Sequence, residues 1–341
     1  MKMEQSAPKK HTYVLFLLSM TLLAIASAAQ ENLEPESPGK LVDLGGHRLH
    51  VNCTGSGGPT VVVENGLGDF SFDWVLVQES VSRFARICTY DRAGYAWSDP
   101  GPKPRTYAQL NLELHDALGK LKERGPFILV GHSFGGPVIR NFAAAYPRDV
   151  AGMIFVDAAQ EDSRYTFRGK AILMRSGAQG RPIPPPRESM LDSDKPTTSQ
   201  PAPQQTQVPL DSLYDPLPAT EKRLQVWAQS LPGLDDAENS QREWSPEYLQ
   251  KWHDTPQAGI LGTIPVLVLT RAHGGYDNDL DLPAAQLEED RKEGQHNLTL
   301  LSTNAKQIIV SSGHNMELEA PDAVVLAIRE IAEAVRKHHR L

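Results

Sequence analysis

The most constraining stretch of this 341-residue chain is Phe127-Ile128-Leu129-Val130-Gly131-His132-Ser133-Phe134-Gly135-Gly136. Four apolar residues without alternation read as a strand buried on both faces. A Gly-x-Ser-x-Gly turn follows, and Pro137 to Ala143 reads as the helix it feeds. So sharp a turn forces its serine into a strained backbone conformation, and only glycines two positions to either side escape collision with neighbouring chain. The hydroxyl is left at the sheet edge above a helix N-terminus, whose unpaired N–H groups and positive dipole end favour a developing oxyanion. In this context the motif reads as a nucleophile elbow, with Ser133 as nucleophile and Gly131 and Gly135 as its flanks.

The neighbouring segments extend the pattern. Leu41 to Cys53 reads as a hairpin with a glycine turn, and Thr60 to Glu64 as a second strand buried on both faces. A helix near Trp74 to Phe84 leads to a strand through Cys88. From Thr106 the apolar positions Leu110, Leu114, Ala117, Leu118 and Leu121 fall at helical spacing. Gly152 to Asp157 is the next buried strand. Strands alternating with helices imply a largely parallel sheet covered on both faces.

Between Ala158 and Ile264 that regularity stops and no strand is evident. Residues 181–218 are dense in Pro, Gln, Ser and Thr, the composition of a partly disordered segment. Helical pieces near Thr220 to Leu231 and Ser245 to His253 carry Trp227, Tyr248 and Trp252. The expected organisation is a core in two parts, 41–157 and 264–341, separated by a cap insertion over 158–263. The second part runs from the strand Pro265 to Thr270, through a strand at Gln307 to Val310, to an amphipathic helix over Pro321 to His338.

The formal charge is −8, with no long basic run, which argues against a nucleic-acid partner. At the N-terminus Lys2, Lys9 and Lys10 precede the apolar run Tyr13 to Ala26, and Ala26-Ser27-Ala28 offers small residues at cleavage spacing. This reads as a secretory signal peptide over residues 1–28, followed by a linker over 29–40. The apolar run is shorter than the roughly 20 residues that span a bilayer, so no stable membrane span is expected in the mature chain; an uncleaved leader serving as a membrane anchor is the alternative. Export to the periplasm or the extracellular space also gives meaning to the two cysteines, Cys53 and Cys88. In an oxidising compartment they are expected to be bridged rather than packed as buried thiols.

Four stretches carry a family resemblance: Asn65-Gly66-Leu67-Gly68, Tyr90-Asp91-Arg92-Ala93-Gly94, the elbow from Gly131 to Gly136, and Gly313-His314. Together they resemble the α/β-hydrolase family in its serine hydrolase or esterase form, from about Lys40 to the C-terminus apart from the insertion. The resemblance implies the α/β-hydrolase fold: a mostly parallel eight-stranded sheet with helices on both faces and an inserted cap. In that family the second strand runs antiparallel and pairs with the fourth. Those strands here hold Cys53 and Cys88, so a cross-strand disulfide is implied.

A serine hydroxyl needs a base, because its own pKa leaves almost no alkoxide at neutral pH. Of eleven histidines, His11 is in the leader, His338 and His339 end a helix, and His115 falls on a helix surface. His314 directly follows the last strand, at the sheet edge that carries Ser133 and in the loop where the resemblance puts the base. It is preferred to His273 and His296. His132 is expected to be a packing residue, and Asp91 and Arg92 a structural turn.

The acid has three candidates. The resemblance points to the loop after Pro265 to Thr270, where Asp277 and Asp279 come several residues late. Asp157 instead ends the preceding strand, an acid position in some lipases of this fold. The order of preference is Asp157, then Asp277, then Asp279; each keeps the order Ser, acid, His. The bland reading of Asp157 is a carboxylate that caps the following helix. For the oxyanion hole the backbone N–H groups of Phe134 and Leu67 are the candidates.

The expected activity is hydrolysis of a small or medium acyl ester through an acyl-enzyme intermediate. Aminopeptidase or amidase action of the proline iminopeptidase type, and non-catalytic binding of a small ligand, are the alternatives. The partner is accordingly a small-molecule ester or amide, with no cofactor and no metal. A serine nucleophile argues against the dehalogenase and epoxide-hydrolase branches, which attack with an aspartate.

Overall fold

The computed structural model describes residues 34–187, 209–255, 257–276 and 280–341. The leader, part of the Pro- and Gln-rich segment, and both Asp277 and Asp279 lie outside the described residues. In chain order the first part contains β1 (Lys40–Asp43), β2 (Arg48–Thr54), β3 (Val61–Glu64), α1 (Val75–Val81), β4 (Ile87–Tyr90), α2 (Tyr107–Lys120), β5 (Phe127–His132), α3 (Gly135–Ala145) and β6 (Val150–Val156). Then come β7 (Arg164–Phe167), β8 (Lys170–Leu173), α4 (Ala219–Gln229), α5 (Leu234–Arg242) and α6 (Ser245–Asp254). The last part holds β9 (Val266–Arg271), α7 (Ala284–Thr299), β10 (Ala305–Val310), α8 (Met316–Glu319) and α9 (Pro321–Lys337).

Eight strands form one sheet in the order β1-β2-β4-β3-β5-β6-β9-β10. The strand β2 runs antiparallel to both its neighbours, and every other pairing is parallel. The strand pattern anticipates a largely parallel sheet, and the antiparallel second strand paired with the fourth is what the family resemblance implies. The reason the central strands read as unbroken apolar runs is visible in their alternation. Val61 and Val63 of β3, with Ile128 and Val130 of β5, pack against α1 and α9, whereas Val62 and Leu129 face α2 and α3 on the other side. Each fully buried Val, Leu or Ile in these layers stabilises the fold by about 1.5–3 kcal/mol.

Cys53 and Cys88 stand directly opposite each other in the β2–β4 register and are joined as a disulfide. At the far end of the sheet Arg336 of α9 donates to Gly58 O at 2.9 Å and to Phe84 O at 3.0 Å, fastening the last helix to the loops that enter β3 and β4.

Two elements in the insertion depart from expectation. No strand is evident there in the sequence, yet β7 and β8 pair as a separate antiparallel hairpin. Its strands have only four residues each, too short to establish alternation, and its turn is Arg168-Gly169 with both residues at positive φ, 50° and 73°. That is the backbone of a primed hairpin turn without the Asn-Gly or Asp-Gly pair that usually announces one. The helix α5 also goes unread, because Leu-Asp-Asp-Ala-Glu-Asn-Ser-Gln-Arg offers few apolar positions to set a period. Among the described residues no helix is long and apolar enough to cross a membrane.

Candidate active site

Ser133 lies between β5 and α3 with φ at +48°, in the left-handed region that costs a residue with a side chain. Its carbonyl accepts from the N–H groups of Gly136 at 3.1 Å and Ala159 at 2.9 Å, and its own N–H donates to Val156 O at 3.1 Å. The glycines around it have no room for anything larger. A Cβ on Gly135 would stand 2.2 Å from Glu64 O, and one on Gly131 would stand 2.7 Å from Gly135 O. Close backbone approach thus imposes the Gly-x-Ser-x-Gly spacing.

Asp157 follows β6 directly and is also left-handed, with φ at +36°. Its Oδ2 lies 2.7 Å from His314 Nδ1, in the loop after β10. That contact puts the ring proton on Nδ1 and leaves the Nε2 lone pair free. Two guanidiniums hold the same carboxylate: Arg271 Nη1 at 2.8 Å from Oδ2 and Arg291 Nη1 at 3.0 Å from Oδ1. Burial alone would push the Asp157 pKa up, but the His314 bond and the charges of His314, Arg271 and Arg291 outweigh it and hold the group at about 2. The His314 imidazole is lowered from 6.5, first by partial burial and then by the positive charge of His132, against the opposing pull of Asp157. A neutral imidazole at pH 7 with a free Nε2 is equipped to accept a proton. Ser133, Asp157 and His314 all line one cavity of about 420 Å³, walled on one side by β7 and on another by α7.

The loop after β3 is braced from behind. Arg92, buried, pairs with Glu64 at 2.9 Å and donates to the carbonyls of Asn65 at 2.7 Å and Gly66 at 2.6 Å. In a trans peptide the N–H points opposite to the C=O, so fixing Gly66 O on Arg92 turns the Leu67 N–H away from it. The same guanidinium lies 5.1 Å from the Phe134 ring. Neither the Leu67 nor the Phe134 N–H is used in a backbone hydrogen bond among the described residues. Asp91 is likewise a structural group, buried against His50 Nδ1 at 2.6 Å and Ser71 N at 2.7 Å.

His132 departs from the packing role expected of it. Its ring is buried, with Nδ1 2.9 Å from Asp69 Oδ2 and Nε2 3.0 Å from the carbonyl of His314. Both partners are acceptors, so both ring nitrogens carry protons and the residue is an imidazolium. Burial opposes that charge, but Glu317 at 3.9 Å and the bond to Asp69 raise its pKa to about 10. Glu317 is fully buried and has no hydrogen-bond partner for either carboxylate oxygen among the described residues; burial pushes it up to about 7. Asp69, His132 and Glu317 are close enough together to suggest a metal site. With both ring nitrogens donating, however, His132 offers a metal no lone pair, and its own charge takes a cation's place. Sequence reasoning misses Asp69, Glu317, Arg271 and Arg291. Only Arg271 leaves a trace, as a charge closing an otherwise apolar strand.

A model of the alpha/beta hydrolase family matches residues 61–327, which is most of the chain. The chain belongs to the α/β-hydrolase family. Among curated α/β-hydrolase relatives, an AB hydrolase superfamily protein of Gibberella zeae is 34% identical over 107 residues, 30% of this chain and 33% of the relative. Eight curated relatives are matched over only 19% to 45% of their own length. A thermophilic esterase from Thermogutta terrifontis superposes with a TM-score of 0.55 at 20% identity, over 85% of this chain and 94% of the esterase. The epoxide hydrolase CorEH gives 0.55 at 16% identity, over 86% and 97%. At such identities the likeness is one of fold, so the hydrolase chemistry has to be argued from the side chains.

Proposed function

We propose that this α/β-hydrolase is an exported serine hydrolase, a carboxylesterase acting on a small or medium acyl ester, with Ser133 as nucleophile, His314 as base and Asp157 as acid. The observation that carries the reading is the 2.7 Å contact between His314 and Asp157 at the rim of a cavity that Ser133 also lines. The Ser133 Oγ attacks the ester carbonyl while its proton passes to His314 Nε2. Negative charge on the carbonyl oxygen is met by the N–H groups of Phe134 and Leu67. The tetrahedral intermediate collapses, the C–O bond to the alcohol breaks, and His314 returns the proton to the departing oxygen. Water repeats the sequence on the acyl-enzyme, giving the acid and free Ser133. Asp157 stays ionised throughout, holding Nδ1–H and stabilising the imidazolium, which its low pKa suits it to do. Residues 158–263 act as the cap that screens the site from water. The leader pattern and the Cys53–Cys88 disulfide favour export.

The test is a chain-length series of p-nitrophenyl esters run beside aminoacyl amides, with a fluorophosphonate probe. Esters turn over, and the probe labels wild type but not Ser133→Ala. Asp157→Asn lowers kcat by roughly 10⁴-fold. Turnover of amides alone overturns the esterase assignment, and full activity in Asp157→Asn overturns the choice of acid.

A further inference from the structure

The wall of the cavity beside Ser133 carries three arginines and three aspartates. The arginines are Arg164, Arg271 and Arg291. Two are fully engaged. Arg271 is held by Asp157, Gly274 O and Glu288, and Arg291 by Asp157, Glu288 and Arg271 O. Arg164 is different. Among the described residues it has no carboxylate within ion-pair distance, and its one hydrogen bond runs from Nη1 to Ala171 O at 3.2 Å. Its Nε is buried with no partner among the described residues. That nitrogen is closed to a ligand as well, so the edge Arg164 can offer to the cavity is its terminal Nη1/Nη2 pair, a fork that matches a carboxylate better than any neutral group.

The chain around Arg164 reinforces the point. Residues 164–175 carry Arg164, Arg168, Lys170 and Arg175 and not one acidic residue, in a protein whose formal charge is −8. Of these four, Arg175 has an acidic partner, Asp162 at 3.0 Å. The β7–β8 hairpin is therefore rich in cations on an acidic molecule, with Asp281 docked on it through Ala171 N at 2.9 Å, and its β7 strand borders the cavity. Two carboxylates besides Asp157 line the same space. Asp162 is engaged by Arg175 and by His253 at 3.6 Å, and Asp290 belongs to α7. Arg291 stands beside Asp290 on the helix side, so the cationic side chain of this wall without an acidic partner among the described residues is Arg164.

Resting on the reading of Ser133 as an esterase nucleophile, we propose that the cavity takes esters whose acyl chain ends in a carboxylate, and that Arg164 binds that carboxylate. Arg164 is then the residue that selects half-esters of dicarboxylic acids over plain aliphatic esters. It acts on the bound substrate and takes no part in proton transfer.

A matched pair of substrates tests this: mono-4-nitrophenyl adipate, which carries the carboxylate, and 4-nitrophenyl heptanoate, which does not. For the wild-type protein kcat/KM for the adipate exceeds that for the heptanoate by about tenfold or more, the worth of one charge-assisted contact. In Arg164→Met the ratio falls to near one, and in Arg164→Lys, which keeps the charge but not the fork, it falls between the two. Circular dichroism melting of each variant verifies that it is folded. Turnover of heptanoate by wild type without preference for adipate overturns this proposal and leaves the esterase reading intact, as does a preference that survives in folded Arg164→Met and Arg164→Lys. Failure of both esters together with failure of fluorophosphonate labelling overturns the esterase reading, and this proposal with it.

Discussion

Two imidazoles lie 4.7 Å apart at the heart of this molecule, and their surroundings drive them in opposite directions. His132 is sealed below the elbow, with Asp69 and Glu317 beside its ring, and is held charged. His314 opens onto the cavity with 41% of its side chain exposed, has a single carboxylate partner, and is held neutral. They are linked by one hydrogen bond, from His132 Nε2 to the His314 carbonyl. The difference shows how one residue type serves two ends. Enclosure among acids produces a fixed cation that ties the elbow to the loop after β10. Exposure beside one acid, with that cation behind it, leaves a ring with an available lone pair.

The contrast can be broken most strongly at His314. His314→Ala is expected to lower kcat on the order of 10⁴- to 10⁶-fold while leaving the melting temperature near wild type, because the ring contributes chemistry rather than packing. A variant that melts early as well as losing activity would falsify that separation.

The next effect is on stability and belongs to His132. His132→Gln leaves Asp69 and Glu317 buried without their counter-charge, and is expected to cost about 3–5 kcal/mol in denaturant unfolding. The wild-type pH dependence carries the same signature. A histidine whose folded pKa is raised from 6.5 to about 10 contributes stability that is complete below 6.5 and is lost as pH rises through 10. Glu317, raised by burial from 4.5 to about 7, acts in the same direction, since it becomes an ionised buried carboxylate as pH rises. Unfolding free energy should therefore decline from neutral to alkaline pH, and decline less in His132→Gln. Stability that is flat to pH 10 in wild type would rule out the imidazolium.

The smallest effect sharpens the link between the two rings. Because the His314 pKa lies below 6.5, the acid limb of kcat/KM should have its midpoint below that value. Removing the neighbouring charge in His132→Gln should move the midpoint upward. An unchanged limb would mean that the two rings are electrostatically independent.

The sheet, the elbow and the loop carrying His314 are all legible in the sequence because each is written locally. A strand buried on both faces is an apolar run, and a strained turn demands glycines at fixed offsets. The Cys53–Cys88 pairing is legible through the family topology, and the position of Asp157 at the end of β6 through the order of strands. What stays hidden is the set of contacts between distant segments. Nothing near Arg291 in its polar helix announces that it will be buried against Asp157, and nothing near His132 names Asp69 or Glu317 as neighbours. The β7–β8 hairpin is hidden for a different reason, because four-residue strands joined by Arg-Gly fall below the length at which a two-residue period can be recognised.

The bonds from Arg336 to Gly58 O and Phe84 O have a practical side. They moor the last helix where β3 and β4 begin, whereas Ser133, Asp157 and His314 stand beyond the ends of β5, β6 and β10. A tether attached after Leu341 would therefore grip the molecule from beneath, leaving the mouth of the cavity turned outward when the protein is displayed on a bead or an electrode.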